Sequence, residues 1–570
     1  MTAKMKEIII DAESMSEDIF EEFFSESSDL TLRAVCTSEK GKPATGNGKV
    51  FRGASAVSFY LELMEEPESE EKESFIVVAG RATRLAEALM ILGRKPKRKL
   101  RILICGGGIM HTDATASAEE NFYEDPHAVK TVLDSGLWPL IIPLDLIYEG
   151  GFGSGRKPGL DKSELLRHAL RLIAEGRTEE SSRKCRCSIA LRGENRGELL
   201  MDSRERAEEP NCRLLNQDGS HMSHYSVRRE KGCGSCYGGT MKVIMDADTG
   251  SDDAISLMCA ALCRKFDIRA ICSVWGNSDP EHTADNGARV MSLMGKKVPI
   301  YKGLDTALFK YQELCRRDRG NLKPIEINGE VLHMHVDELP IPEATYRREE
   351  ESAVSFYLDY FSDPKNRDTA ILATGPLSNL GLALSIKPEI GKNIREIIIM
   401  GGGLFKANIT PCSEANFNHD PEAANIVLNC GAKVTVIPLD VTHKTVITEE
   451  EREAIRKLNN PCALFAAKLL RDRSLIHDAT QPLYIPHAAT AHDAMTAAFG
   501  ADRTLLTELI PVYLRVVEGG DCDGHCSLDR RDESREPNCE IALSGDREGF
   551  VRFIKESLAA YGDIPHMART

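Results

Sequence analysis

The sequence contains itself twice. Residues 242–254, KVIMDADTGSDDA, echo residues 7–19, EIIIDAESMSEDI, so that Asp246 stands 235 positions after Asp11. IRAICS (268–273) echoes LRAVCT (32–37) at an offset of 236. ILATGPLSNL (371–380) pairs with IVVAGRATRL (76–85) at 295. The gapless block IIIMGGGLFKANITPCSEANFNHDPEAANIVL (397–428) pairs with ILICGGGIMHTDATASAEENFYEDPHAVKTVL (102–133) at that same offset, as does a recurring IPLD. Near the ends, SREPNCEIAL (534–543) matches AEEPNCRLLN (207–216) at 327. Self-similarity of this length means that both halves adopt one architecture, and the two steps in the offset mark about 60 and about 30 residues missing from the first copy. KGCGSCYGGT, which ends at residue 240, reads as a Gly-rich linker. It divides the chain into copies over 1–235 and 241–570.

Both copies alternate short Val/Ile-rich runs (KVIMDAD, DIRAICSVWG, TAILATG, REIIIMGGG, KVTVIPLD in the second) with helical patterns such as DDAISLMCAALCRK. That alternation predicts an α/β fold with a mostly parallel open sheet flanked by helices. Ligands of such sheets bind outside the carboxyl ends of the strands. Each run ends there in polar or glycine residues: DADTGSDD, GN, TGP, GGG, LD.

At 42% apolar and 28% charged residues the chain is of the globular class. It has no apolar run of about 18 residues, so no membrane span is expected. The start, MTAKMKEIIIDAESMSED, is too briefly apolar for a signal peptide, and the expected location is cytoplasmic. A formal net charge of −16 argues against a nucleic-acid partner. The 17 cysteines then read as reduced thiols. His221, His224, Cys233 and Cys236 (H-x2-H, C-x2-C) have the spacing of a zinc site, with a plain Gly-rich connector as the alternative. Cys522 and Cys526 around His525 are a weaker candidate of the same kind.

Asp246, Asp248, Asp252 and Asp253 crowd into eight residues at the end of an apolar run. Like charges repel, and desolvating each costs several kcal/mol. Capping of the following helix accounts for one or two of them, not four. A set of hard oxygen donors suits Ca²⁺, whereas Mg²⁺ demands a stricter octahedron. The spacing does not match an EF-hand loop.

DADTGSDDA resembles the D-x-D-x-G-x-D-D opening of the nucleoside hydrolases, the calcium-dependent N-ribohydrolases. Residues 241–570 follow that family in order: VWGN (274–277), LATGPLSN (372–379), MGGG (400–403), NITPCSEANFNHDPEAA (408–424), PLDVTHK (438–444) and HDA (492–494). The resemblance implies a nucleoside hydrolase-like, Rossmann-like α/β fold in two tandem copies. It implies calcium ligation by Asp248, Asp253, Asp493 and the Thr374 carbonyl, with Asp248 also the general base toward a calcium-bound water. Asp252 would hold ribose hydroxyls with Asn277 beside it, and Asp493 would border both metal and sugar. Asn277 is counted with the catalytic group. Asn408, Glu414 and Asn416 would grip the 5′ side of the ribose, and His492 would protonate the departing base. These types suit the chemistry: water attacks the anomeric carbon through an oxocarbenium-like state, a divalent ion activates water, and a histidine of near-neutral pKa can protonate a leaving base. Thr249 stands where proline is common, S-E-A-N (413–416) replaces A-E-F-N, and HMHVDELP (333–340) lacks the glycines of the family's His-Gly loop. His333 and His335 of that loop are either base contacts or solvated. Trp275 is either a stacking platform or a core residue.

In the first copy Asp11, Glu13, Glu17 and Asp18 occupy the positions of the four aspartates, and Glu119 and Asn121 match Glu414 and Asn416. VWGN becomes SEKG (38–41), Thr374 becomes Ala79, and no His-Asp pair occurs between residues 146 and 184. Residues 1–235 therefore read as a degenerate, non-catalytic copy, acting as an intramolecular pseudo-dimer partner or within a homo-oligomer. The leading function is calcium-dependent hydrolysis of a small-molecule ribonucleoside to ribose and base, as in purine or pyrimidine salvage. The rivals are a calcium- and ribose-binding regulatory protein and an N-ribohydrolase of an unusual nucleoside or nucleotide. A 5′-phosphate would meet Glu414, which favours a neutral 5′-hydroxyl.

Overall fold

Each copy builds one eight-stranded sheet, and the two sheets share one strand order. The computed structural model describes residues 5–12, 17–25, 30–38, 48–69, 71–107, 120–144, 163–178, 182–185, 187–189, 199–201, 212–215, 240–309, 324–327, 329–529 and 535–563. Across the first sheet run Lys49–Arg52, Leu30–Thr37, Met5–Asp11, Lys72–Val78, Leu100–Cys105, Leu140–Ile142, Cys212–Leu215 and Ser182–Cys185. Across the second run Ile300–Lys302, Phe266–Ser273, Met241–Ala247, Ala370–Ala373, Ile397–Met400, Val434–Ile437, Cys539–Gly545 and Leu506–Val512. In both, all neighbours are parallel except the last pair, which is antiparallel. The chain divides into two units, one mainly Met1–Asp202 and the other mainly Arg228–Leu528 with Arg535–Thr570.

The repeat extends to register and hydrogen bonds. Asp11 pairs with Cys36 and Val78, and Asp246 with Cys272 and Ala373. A register shift falls between Ile8 and Ile9 in one copy and between Val243 and Ile244 in the other, the same place in the repeat. Tyr60 Oη donates to Asp11 Oδ2 at 2.9 Å, and Tyr357 Oη to Asp246 Oδ2 at 2.7 Å. Asp125 caps the helix Pro126–Asp134 and accepts from Thr83 Oγ1 at 2.6 Å; Asp420 caps Pro421–Leu428 and accepts from Ser378 Oγ at 2.6 Å. A carboxylate that accepts from both a helix N-terminus and a hydroxyl satisfies those donors whatever the function, so packing alone favours it in both copies.

The copies differ where the offset steps. The second copy uses residues 274–299, including the helix Pro280–Leu293, to pass from Phe266–Ser273 to the edge strand; the first passes in residues 38–48. After the edge strand the second copy inserts residues 303–352, whereas in the first the helix Ala54–Glu65 starts almost at once. The helix Ser251–Leu262 is buried over its whole length, which explains its apolar run on every face. Its first turn carries Asp252 and Asp253 into the interior at a helix N-terminus, where negative charge is favoured. Among the described residues no helix is long and apolar enough to cross a membrane. His221, His224, Cys233 and Cys236 lie outside the described residues.

Asp420→Ala removes a helix cap and strands Ser378 and the Leu308 amide, which donates to Asp420 Oδ2 at 3.0 Å. The expected loss is about 3 kcal/mol. Urea unfolding of the full chain measures it, and an unchanged midpoint would contradict this role.

Candidate active site

The strands Met241–Ala247 and Ala370–Ala373 are neighbours, yet the chain continues from them toward opposite edges of the sheet. A crevice opens at the carboxyl ends of strands where the order reverses in this way. Asp246 and Asp248 come from the end of the first strand, and Thr374 follows the second. Asn277 comes from the loop after Phe266–Ser273, Glu414 and Asn416 from the loop after Ile397–Met400, and Asp493 from the residue before the helix Ala494–Ala501. The topology thus gathers residues from 246 to 493 at one point.

At that point one carboxylate oxygen from each of Asp252, Asp253 and Asp493 lies within 4.8 Å of the other two, all buried. Among the described residues this is the only such grouping of potential metal ligands. Asp253 Oδ1 accepts from Thr374 Oγ1 at 2.8 Å, and its Oδ2 from the Gly250 amide and Asn277 Nδ2, both at 3.0 Å. Asp248 Oδ2 accepts from the Asn277 amide at 2.8 Å, and its carbonyl from Asn277 Nδ2 at 3.1 Å. Asp248 Oδ1 is buried with no hydrogen-bond partner among the described residues. Two glycines make this approach feasible. A Cβ on Gly276, whose φ is +149°, would sit 2.2 Å from Asp248 Oδ2, and one on Gly250 would sit 2.5 Å from His335 Nδ1.

Burial, then the Asp253 charge, raises the Asp248 carboxyl well above its ordinary range. Asp493 is raised for the same first reason, followed by the charges of Asp252 and Asp253. Asp253 is raised to about 7 by burial and Asp252. Asp246 is also raised to about 7 by burial, although Tyr357 and Asn379 hydrogen bonds oppose it. A protein cation neutralises part of the cluster: Arg473, itself 3% exposed, donates from Nη1 to Asp252 Oδ1 at 3.1 Å. An oxygen-only set with an orphaned carboxylate oxygen fits a hard divalent cation, which the cluster can hold.

On the 401–416 loop, Glu414 is 2% exposed and its oxygens accept from the Gly402, Asn416 and Phe417 amides at 2.7, 2.8 and 3.1 Å. Burial nevertheless lifts it to about 7. Asn416 Nδ2 donates to the carbonyls of Thr374 at 2.9 Å and Met400 at 3.0 Å, the latter repeated by Asn121 and Cys105 at 3.4 Å. Asn416 therefore ties the Thr374 carbonyl to the 401–416 loop. Half-buried Asn408 accepts from the Ala415 amide at 3.0 Å, folding the loop on itself. Trp275 is core: its Nε1 donates to Ser378 Oγ at 2.9 Å and its ring lies against His419.

A histidine cluster closes the other side. His477 Nε2 and His492 Nε2 both lie 2.9 Å from Thr490 Oγ1, and Arg473 Nη2 reaches the same oxygen at 3.3 Å. The Gln481 carbonyl, 3.3 Å from His477 Nδ1, requires the proton there, so His477 Nε2 accepts the Thr490 hydroxyl proton. Thr490 then accepts from Arg473 and from His492 Nε2–H, and His492 Nδ1 accepts from Thr442 Oγ1 at 2.7 Å. Burial first, then the positive charge of Arg473 and the proximity of neighbouring histidines, holds His492 well below its usual range rather than near neutrality. His443 stacks on His492 at 5.4 Å and is lowered to about 3 by burial and by Lys406 and Arg473. His335 reaches the site over Gly250, whereas His333 is exposed.

Arg473, His477, Thr490 and Thr442 escape a reading of motifs. Arg473 and His477 sit four apart on the helix Pro461–Thr480, so they share a face, but an Arg and a His on a helix ordinarily mean a solvated side. Arg473→Met should cost the cation-free protein about 3 to 5 kcal/mol, because it leaves Asp252 buried and uncompensated. Denaturant unfolding tests this, and saturating divalent cation should recover part of the loss. No loss without cation would show that Arg473 is not the counter-charge.

A family model described as inosine-uridine preferring nucleoside hydrolase matches residues 34–167 and 243–552. The chain is 32% identical over 321 residues to a pyrimidine-specific ribonucleoside hydrolase RihA of Photobacterium profundum, covering 56% of this chain and 99% of that protein. It is 31% identical over 323 residues to the protein of the same name in Escherichia coli K12, with 56% and 99% covered. A purine-preferring ribonucleoside hydrolase from Gardnerella vaginalis is 28% identical in a structural superposition of TM-score 0.48, covering 57% of this chain and 99% of that one. The split match, one segment in each copy, accords with the tandem duplication. The chain belongs to the inosine-uridine preferring nucleoside hydrolase family, hydrolases acting on N-glycosyl compounds.

Proposed function

We propose that residues 241–570 hydrolyse the N-glycosidic bond of ribonucleosides in a calcium-dependent reaction, releasing ribose and the free base. The observation that carries this reading is the buried oxygen cluster of Asp252, Asp253 and Asp493 beside the orphaned Asp248 Oδ1. Asp248, Asp253, Asp493 and the Thr374 carbonyl would hold the ion, which when bound supplies concentrated positive charge and polarises water. Asp248 takes the proton of the attacking water at Oδ1. Asp252 and Asn277 orient the ribose hydroxyls, and Asp493 borders them. Negative charge here also stabilises the positive charge that develops on the sugar ring. Asn408, Glu414 and Asn416 form the 5′ side. His492, with His477, Thr490 and Arg473, supplies the polar wall against which the base departs. Uridine and cytidine lead the substrate panel, since the relatives at 31–32% identity are named pyrimidine-specific.

Residues 1–235 are in this reading a non-catalytic partner domain. Arg84 pairs with Asp11 where Asn379 meets Asp246, a fixed cation in place of an amide. The segments that carry Asn277 and His335 in the second copy have shortened or missing counterparts.

Release of reducing sugar from uridine, cytidine, inosine, adenosine and guanosine, with and without chelator, tests the function. Asp248→Ala should lower kcat by about a thousandfold or more, as removal of both a ligand and a base implies. Calcium binding with no turnover on any nucleoside would favour the binding-protein reading instead.

The raised carboxyls also predict a pH dependence. A folded pKa above the unfolded value near 3.9 gives stability that is present at low pH and lost as pH rises toward and beyond about 7. The chelated protein should therefore lose thermal stability between pH 5 and 8. Calcium displaces those protons, so the gap between calcium-loaded and chelated Tm should widen over the same range. A gap that stays constant would contradict ligation by these carboxylates.

A further inference from the structure

The loop bearing Asn408, Glu414 and Asn416 is tied to a second loop, residues 517–525, between the antiparallel strands Leu514–Val516 and Cys526–Leu528. The Asp523 carbonyl accepts from Ser413 Oγ at 2.6 Å and from Asn418 Nδ2 at 2.8 Å. His525 Nδ1 donates to the Cys412 carbonyl at 2.9 Å. This seam brings Cys412 and Cys522, 110 residues apart in sequence, onto facing loops, for the His525 that donates to the Cys412 carbonyl also donates its own amide to the Cys522 carbonyl at 2.9 Å. Both cysteines are buried, at 7% and 4% exposure, while Pro411 and Gly520, one and two residues away in sequence, are exposed. Gly519, Gly520 and Gly524 have φ of +78°, +73° and +81°, so the second loop is built from tight turns.

We propose that Cys412 and Cys522 are a redox modification site, oxidised by peroxide to a disulfide that displaces the ribose-side loop of the active site. One Sγ, as thiolate, attacks a peroxide oxygen; the O–O bond breaks and one water leaves. The second thiol attacks the resulting sulfenic acid, so that the S–S bond forms, the S–O bond breaks and a second water leaves. Two thiols give up two electrons to the peroxide. The chemistry favours Cys412 as the attacking group. Its thiol is lowered to about 6, first by the Cys522 hydrogen bond and then by His525, whereas burial pushes Cys526 and Cys539 up. Two separate thiols approach no closer than van der Waals contact, so forming an S–S bond of about 2.05 Å draws the sulfurs together by more than about 1 Å. Glu414 and its amide contacts lie two residues from Cys412 and would shift with it.

The full chain is treated with hydrogen peroxide, its remaining thiols are alkylated under denaturing conditions, and its peptides are mapped by mass. The expected result is a linked Cys412–Cys522 peptide lighter by two hydrogens, reversed by dithiothreitol. It should be absent from Cys412→Ser and Cys522→Ser and retained in Cys526→Ser. Nucleoside turnover, which rests on the proposed function, should fall about tenfold or more on oxidation and recover on reduction, since misplacement by about 1 Å can cost a hundredfold. Absence of the linked peptide in a protein whose melting is unchanged would overturn the site. A linked peptide with unaltered turnover would overturn the coupling to the loop. The mass result stands whether or not the chain hydrolyses nucleosides.

Discussion

Three buried aspartates whose oxygens meet within 4.8 Å set the terms for the whole second copy. They cannot share that space ionised without compensating charge, because burial and mutual repulsion both oppose it. Arg473 supplies one positive charge from the interior. The rest of the demand falls on protons or a divalent cation, and the surroundings are shaped for the second. Asn277 donates to Asp253 and to neighbouring Asp248, Asn416 donates to the Thr374 carbonyl, and Gly250 and Gly276 let the backbone come close. Neighbouring histidines are kept neutral by burial, so the cluster's own field goes unanswered from that side.

In the first copy the same fold carries Glu13 and Glu17 where the second has Asp248 and Asp252. Its sheet order, its register shift, its capping Asp125 and its Tyr60–Asp11 hydrogen bond are retained, because each satisfies buried backbone or polar groups whatever the function. The site-forming features are not retained as a set. Arg84 fills the position of Asn379 and ion-pairs with Asp11, and the segments on either side of the edge strand are shorter than in the second copy. Loops carry function and strands carry packing, and the two copies differ most in the former.

Much of this was legible in residue order. Alternating Val/Ile runs and helical patterns gave the parallel α/β sheet, and the D-x-D-x-G-x-D-D cluster pointed at the crevice, because strand ends and buried charge are local signals. Trp275 resolved to core, since its indole finds a hydroxyl and a histidine inside. The tie between Arg473, Thr490, His477 and His492 was not legible. It joins a helix face to a loop up to 19 residues later through one hydroxyl, a contact that no spacing rule encodes. Likewise the family pattern suggested a near-neutral His492. The structure saturates both of its nitrogens and lowers its pKa, because three further histidines and an arginine share its burial.

Equilibrium dialysis of calcium against the full chain most directly tests the central claim that one copy retains the cation site and the other has lost it. The account predicts one ion bound per chain, abolished by replacing Asp253 with asparagine and unaffected by replacing Asp11. Two ions per chain, or none, would contradict it.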